Sequence, residues 1–258
     1  DVGARFYTYI STMGLAMEAA AKANVKFVVL DRVNPIGGAL LEGPLLEGPT
    51  DFIGWHPLPV RHGMTVGELA RMFRDERAIH VDLEVVPIRG WKREQFQDEA
   101  GLAWVNPSPN MRSLTAAALY PGIGLLERAV SVGRGTPAPF EVVGAPYIDG
   151  ARLVAEVGAV PGVALTPVRF TPTASVHRGE ECGGVKIAIT DRAALRPVAL
   201  GVAIAAALAR LVPSHFPVDE MAPLLRDSPT LDAIRRGDPS HDWDLHEFLE
   251  RRARHLLY

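Results

Sequence analysis

The clearest hydrophobic pattern is a stripe. In "TVGELARMFRDE", 65–76, Leu69, Met72 and Phe73 recur at helical spacing, and Thr65 with Glu68 makes a T-x-x-E capping box, so the segment predicts an amphipathic helix. "STMGLAMEAAAKAN", 11–24, predicts an earlier helix that Ser11 or Thr12 starts and Asn24 ends. Two short runs read as strands, "VKFVVL" at 25–30 and "VDLEVVPI" at 81–88, and the near-continuous apolar character of the first suits a buried parallel strand. Strand, helix and strand in this order predict an α/β domain with a parallel sheet. Further along, "SLTAAALYPGIGLLERA" predicts a helical stretch interrupted at Pro121. "ARLVAEVGA" predicts a short helix, "GVALTPVRF" and "GVKIAITD" strands, and 194–212 a buried helix. The closing segment "DLHEFLERRARHLLY" predicts a helix with Leu245, Phe248, Leu249 and Leu256 packed and Glu247, Glu250, Arg251 and Arg254 solvated.

Between these elements lie long polar and glycine-rich stretches. The first strand runs straight into "DRVNPIGG", so Asp31, Arg32 and Asn34 sit just beyond its carboxyl end. That is where open parallel sheets bind ligands. Asp31 and Asn34 also suit a turn in which they bond their own backbone. "LEGP", "RHGM", the stretch 90–113 with Trp91 and Trp104, and "SVGRGTPAPFEVVGAPY" read as loops. Loops of this length in a compact domain are usually functional or disordered, and the tryptophans argue against disorder.

Composition narrows the function classes. The 258 residues are 48% hydrophobic and 22% charged with a net charge of −3, which gives no sign of a nucleic-acid partner. A single cysteine, Cys182, excludes an internal disulfide and a cysteine-based zinc site. The eight histidines form no tight ligand pair, so no metal is expected. His62 stands out because it lies in a loop between Arg61 and Gly63, just ahead of the capped helix. No G-x-G-x-x-G follows a strand and no G-x-x-x-x-G-K-[ST] occurs, so no nucleotide cofactor is expected. The apolar run between Pro197 and Pro213 falls short of the ~20 residues that span a bilayer, and no transmembrane segment is expected.

One family carries these motifs in this order. "DVGARFYTYISTM", "LDRVNPIGG", "LEGP", "RHGMTVGELA", "PSPNM", "YPG", "SVGRGTPAPFEVVGAP", "FTPT", "ECGGV" and "TDR" resemble the NamZ family along the whole chain. The resemblance implies an exo-acting β-N-acetylmuramidase that releases N-acetylmuramic acid from non-reducing ends of peptidoglycan fragments. It implies muramyl saccharides as partners and a periplasmic or secreted location. It also implies a Rossmann-like parallel-sheet domain over 1–112 and a smaller C-terminal α/β domain over 113–258. Family members carry a further N-terminal segment with first strands and a Pro-Glu-His-Gly motif whose glutamate is thought catalytic. Nothing in this sequence matches that motif. The chain therefore resembles a fragment of the family pattern, with a sheet edge or face expected to be uncovered.

Glycoside hydrolysis uses carboxyl groups as acid, base or nucleophile. Asp31, Glu42 and His62 are the catalytic candidates, set in or beside the matched motifs. The lactyl carboxylate of the substrate calls for a guanidinium, which makes Arg5, Arg32, Arg61 and Arg134 candidates. Tyr7, Tyr9 and Trp104 offer aromatic faces to sugar rings, although core packing is the better explanation for any single one of them. Asn34, Asn110 and Glu141 complete the expected substrate-binding set. Two other readings stay open: an inactive carbohydrate-binding fragment of that family, or a Rossmann-like nucleotide-dependent enzyme.

Overall fold

The computed structural model describes all 258 residues, Asp1–Tyr258. In chain order the elements are α1 (Tyr9–Lys22), β1 (Phe27–Leu30), β2 (Glu42–Leu45), β3 (Pro59–Arg61), α2 (Val66–Glu76), β4 (Leu83–Val86) and α3 (Leu114–Ile123). There follow β5 (Val142–Ala145), α4 (Gly150–Val157), β6 (Val163–Phe170), β7 (Cys182–Ile189) and α5 (Pro197–Leu211). The chain closes with α6 (Ala222–Leu225), α7 (Ser228–Arg235) and α8 (His246–Ala253). Two compact units result. One comprises Asp1–Trp104 with Trp243–Tyr258, and the other Val105–Asp242. The segment 243–258, which reads in sequence as part of the C-terminal half, packs in the first unit.

In the first unit β1 and β4 pair in parallel, with Phe27 opposite Leu83 and Leu30 opposite Val86, as strand–helix–strand order predicts. The α2 stripe supplies the core beneath them: Leu69, Met72 and Phe73 are fully buried beside Met17, Trp55 and Phe248. The expected capping box is present. Thr65 Oγ1 accepts from the Glu68 amide at 3.2 Å, and the Glu68 carboxylate accepts from the Thr65 amide at 3.0 Å. Thr65→Ala should cost about 1–2 kcal/mol, because it also strips a donor from Asp31. A urea midpoint lowered at constant slope checks this.

Four expectations for this unit need correction. The helix α1 starts at Tyr9, and Ser11 is buried within it rather than capping it. Asn24 does end the helix, in the left-handed conformation that asparagine tolerates. The strand β1 is not buried on both faces. Val29 points into the core, while Leu30 is 70% exposed and Val28 and Val86 are also exposed, so only one side of the parallel pair is covered. "LEGP" and the residues before "RHGM" are not plain loops. They form an antiparallel ribbon in which β2 pairs β3, Glu42 opposite Arg61. In α8, finally, Phe248 and Arg252 are buried and Leu249 is exposed.

The second unit holds an antiparallel sheet of order β5-β7-β6. Its central strand carries Gly183 and Gly184. A Cβ on Gly184 would lie 2.0 Å from the Val143 carbonyl oxygen, so glycine is what lets β5 approach. The strand β5 falls inside "SVGRGTPAPFEVVGAPY", read in sequence as loop. Its four residues are too few to show a period among so many glycines and prolines. Pro121 lies inside α3 rather than interrupting it, and the chain tightens into a 3-10 turn at Gly124–Leu126. The helix α5 is buried as expected, with Gly201 against the Gly122 backbone of α3. No helix is long and apolar enough to cross a membrane.

Candidate functional site

In the first unit Asp31 and Asn34 both bond one short stretch, 62–65, which also holds His62. Asp31 leaves the carboxyl end of β1 and meets the start of α2. Its Oδ1 accepts from the Gly67 amide at 2.7 Å and the Arg32 amide at 2.9 Å. Its Oδ2 accepts from Thr65 Oγ1 at 2.8 Å and the Tyr258 hydroxyl at 2.7 Å. A carboxylate at a helix start is favoured by the orphan amides and the helix dipole. Gly67 is required there, because a Cβ would sit 2.6 Å from the Asp31 carboxyl carbon. Burial and the Asp31 charge push the Tyr258 phenol upward, so it remains a donor. Asn34 is buried and ties the loop to the same stretch. Its Nδ2 donates to the Met64 carbonyl at 3.0 Å and its Oδ1 accepts from the Ile36 amide at 3.2 Å. Arg32 is exposed.

His62 is fully enclosed. Its Nδ1 accepts from the Met64 amide at 3.2 Å, and its Nε2 lies 3.2 Å from an Asp1 carboxylate oxygen. Burial first, then the positive charges of the Asp1 amino group and Arg252, hold the imidazole down at about 3, so it is neutral at pH 7. Arg5 and Arg61 are buried too. Arg5 Nη1 donates to the carbonyls of Pro44 and Leu58, at 3.0 and 2.8 Å, and Arg61 donates to that of Ile36. Glu42 is buried at the ladder position facing Arg61. Tyr7 and Tyr9 pack edge to face at 5.1 Å, with Tyr9 half exposed. The ribbon and loop candidates are thus brought together, chiefly as a bonded frame under the "RHGMT" segment.

That frame has members the sequence reading missed. Gly63 has a left-handed φ of 61°, and its carbonyl accepts from Arg93 Nη1 at 3.0 Å and Arg252 Nη2 at 2.9 Å. Arg93 also pairs with the buried Glu68, which accepts from the Leu257 amide at 2.9 Å. Burial, then the neighbouring Arg93, lowers Arg252 to about 10, and it stays charged. A signal for Arg252 was present in the sequence: it stands four residues after Phe248, on the buried face of α8.

In the second unit Asn110 bonds the glycine-flanked loop that carries Arg134, while Glu141 bonds Ser113 at the start of α3. Gly133 and Gly135 both have left-handed φ, 74° and 79°. The Gly135 amide donates to Asn110 Oδ1 at 3.3 Å, and the Gly135 carbonyl accepts from Thr173 Oγ1 at 2.8 Å, which joins "PSPNM", "SVGRGT" and "FTPT". Ser113 caps α3 and donates to Glu141 at 2.8 Å. The Arg134 guanidinium lies 5.0 Å over the buried Phe140 ring, which meets Tyr120 edge to face at 4.8 Å. Arg134 opens on a cleft of about 540 Å³ lined also by Glu127, Arg128, Ser175, Val176 and Glu220. Of the predicted cations, Arg5 and Arg61 are spent on buried carbonyls, Arg32 is exposed, and Arg134 is partly exposed and pairs with Glu127.

Comparison with known proteins agrees with this motif order. Residues 1–115 match the family model described as Exo-beta-N-acetylmuramidase NamZ, N-terminal, and residues 118–258 match Exo-beta-N-acetylmuramidase NamZ, C-terminal. The chain is 45% identical over 220 residues to the Peptidoglycan beta-N-acetylmuramidase NamZ of Bacillus subtilis (strain 168), covering 84% of this chain and 53% of that protein. It thus spans about half the length of the curated relative it matches. Crystal structures of two DUF1343 family proteins from Bacteroides fragilis NCTC 9343 superpose over the whole chain, with TM-scores of 0.85 and 0.79 at 31% and 29% identity, covering 73% of each. With the two family models together matching residues 1–115 and 118–258, the chain belongs to the NamZ family.

Proposed function

We propose that the chain serves an exo-acting β-N-acetylmuramidase, releasing N-acetylmuramic acid from the non-reducing ends of peptidoglycan fragments outside the cytoplasm. The family membership supports the substrate class, and the Bacillus subtilis relative is named for this activity. The observation that carries the reading is Arg134: a guanidinium over Phe140 at an open cleft, in a loop that Asn110 braces through the Gly135 amide. N-acetylmuramic acid differs from N-acetylglucosamine by an ether-linked lactyl carboxylate, and a guanidinium is the group that reads a carboxylate with parallel hydrogen bonds. Asn110 and Glu141 are the proposed contacts to hydroxyl or acetamido groups. Asp31, Asn34, Arg61 and His62 are proposed to hold the loop frame of the Rossmann-like layer, with Arg32, Tyr7 and Tyr9 on its accessible side.

The reaction consumes one water. Its oxygen bonds to the anomeric carbon, the bond to the leaving sugar's oxygen breaks, and a proton passes to that oxygen. The test is incubation with a muramyl-headed disaccharide, with and without nucleotide, followed by mass spectrometry. Free N-acetylmuramic acid in both reactions is the expected result. Binding without release would favour the carbohydrate-binding reading, and release only with nucleotide would overturn the proposal.

A further inference from the structure

The Arg134 cleft already contains a carboxylate. Glu127 follows the 3-10 turn Gly124–Leu126 and accepts from Arg134 Nη2 at 2.5 Å, with both side chains mostly buried. A second pair on the same cleft, Arg128 to Glu220 at 3.3 Å, is more exposed. The four charges cancel, so a ligand carboxylate reaching Arg134 meets a cation that is already partnered.

We propose that Glu127 is an internal competitor for the ligand carboxylate and sets how readily an acidic sugar leaves; this rests on the muramidase reading. An exo-acting enzyme of that kind faces a constraint. Substrate and product carry the same lactyl group, so a contact to it is equally strong in both. Such a contact raises affinity without helping the chemical step, and it slows release. Glu127 relieves this, because its carboxylate takes back the Arg134 donor as the product departs. The departing acid then leaves no bare, half-buried guanidinium behind.

The surroundings keep that exchange local. Arg134 is held over Phe140, and Phe140 itself has a left-handed φ of 64°. Ser175, which lines the cleft, and His177 have φ of 67° and 60°. Three of the six non-glycine residues with positive φ therefore stand at or beside this cleft. Such strain persists only where the surroundings enforce it, and it clusters at ligand clamps. Arg134 is accordingly fixed, and Glu127 is the partner that yields.

The test titrates wild type, Glu127→Gln, Glu127→Asp and Arg134→Ala with N-acetylmuramic acid and with N-acetylglucosamine, and measures kcat and KM on a muramyl disaccharide. Glu127→Gln should bind N-acetylmuramic acid about threefold to tenfold tighter and lower kcat and KM together. Its affinity for N-acetylglucosamine should not change. Glu127→Asp, whose shorter side chain weakens the internal pair, should fall between wild type and Glu127→Gln, and it carries the test if Glu127→Gln does not fold. Unchanged or weaker acid binding in these variants, with wild type still binding through Arg134, would overturn the competitor role alone. Wild type that binds neither sugar would overturn the muramidase reading and this inference with it.

Discussion

Arg134→Ala should weaken N-acetylmuramic acid ligands about tenfold to a hundredfold while leaving N-acetylglucosamine nearly untouched. The range follows from a charge-assisted contact of about 1.5–3 kcal/mol. Loss of the side chain removes the cation above Phe140 and leaves Glu127 as an unopposed negative charge in the cleft, so the acid is both unrecognised and repelled. Arg134→Lys should recover little, because a point charge cannot offer the ligand carboxylate a planar fork of two parallel donors. Calorimetric titration of both sugars checks this. Equal loss of both would make Arg134 a structural residue of its loop. Since Gly133 and Gly135 already fix that loop through Thr136, Asn110 and Thr173, the loop itself should survive the substitution.

Acid should destabilise the first unit through His62. Its folded value of about 3 lies below the ordinary value of 6.5, so between these limits the unfolded chain binds the extra proton. The stabilising effect is complete above pH 6.5 and is lost as pH falls toward 3. Between pH 7 and pH 4 the loss amounts to about 3 kcal/mol, or roughly 6–12 °C in the thermal midpoint. His56 and His255, also lowered chiefly by burial, act in the same direction. Glu76 does not confuse the window. Burial raises it, but hydrogen bonds from His56 and Arg251 outweigh that and hold it at about 2, so its contribution starts to fall only below 4.5 and most of it is still present at pH 4. In His62→Asn the amide oxygen takes the place of Nδ1 toward the Met64 amide without titrating. That variant should be less stable at pH 7 and show a flatter decline to pH 4. Thermal melts at both pH values decide; parallel slopes in the two proteins would remove His62 from the explanation.

What the sequence disclosed depended on how local the physics is. The α2 helix was legible because its cap, its stripe and its charge pattern all lie within twelve consecutive residues. The parallel pairing of β1 and β4 followed from strand–helix–strand order. The exposure of Leu30 was not legible, since a run of apolar residues records what could be buried and not which face a neighbour covers. The ribbon β2–β3 was hidden because Pro44 and Gly43 sit inside it and its partners are far apart in sequence. Among the candidate residues, Arg134 was found from its flanking glycines, which are a local signal. Arg252 and Tyr258 were missed because they reach their partners, Gly63 and Asp31, only when the tail packs in the first unit, and Arg93 because its partner Gly63 lies thirty residues away in sequence.

Carboxylate-directed recognition is tested most directly by one ratio: kcat/KM for a chromogenic β-N-acetylmuraminide divided by kcat/KM for the matching β-N-acetylglucosaminide. A guanidinium that contributes about 1.5–3 kcal/mol to the acidic sugar alone should place that ratio at about ten or above for wild type. The same ratio should fall toward one for Arg134→Ala. A wild-type ratio near one, or one favouring the glucosaminide, would contradict the assignment of Arg134 and the substrate class built on it.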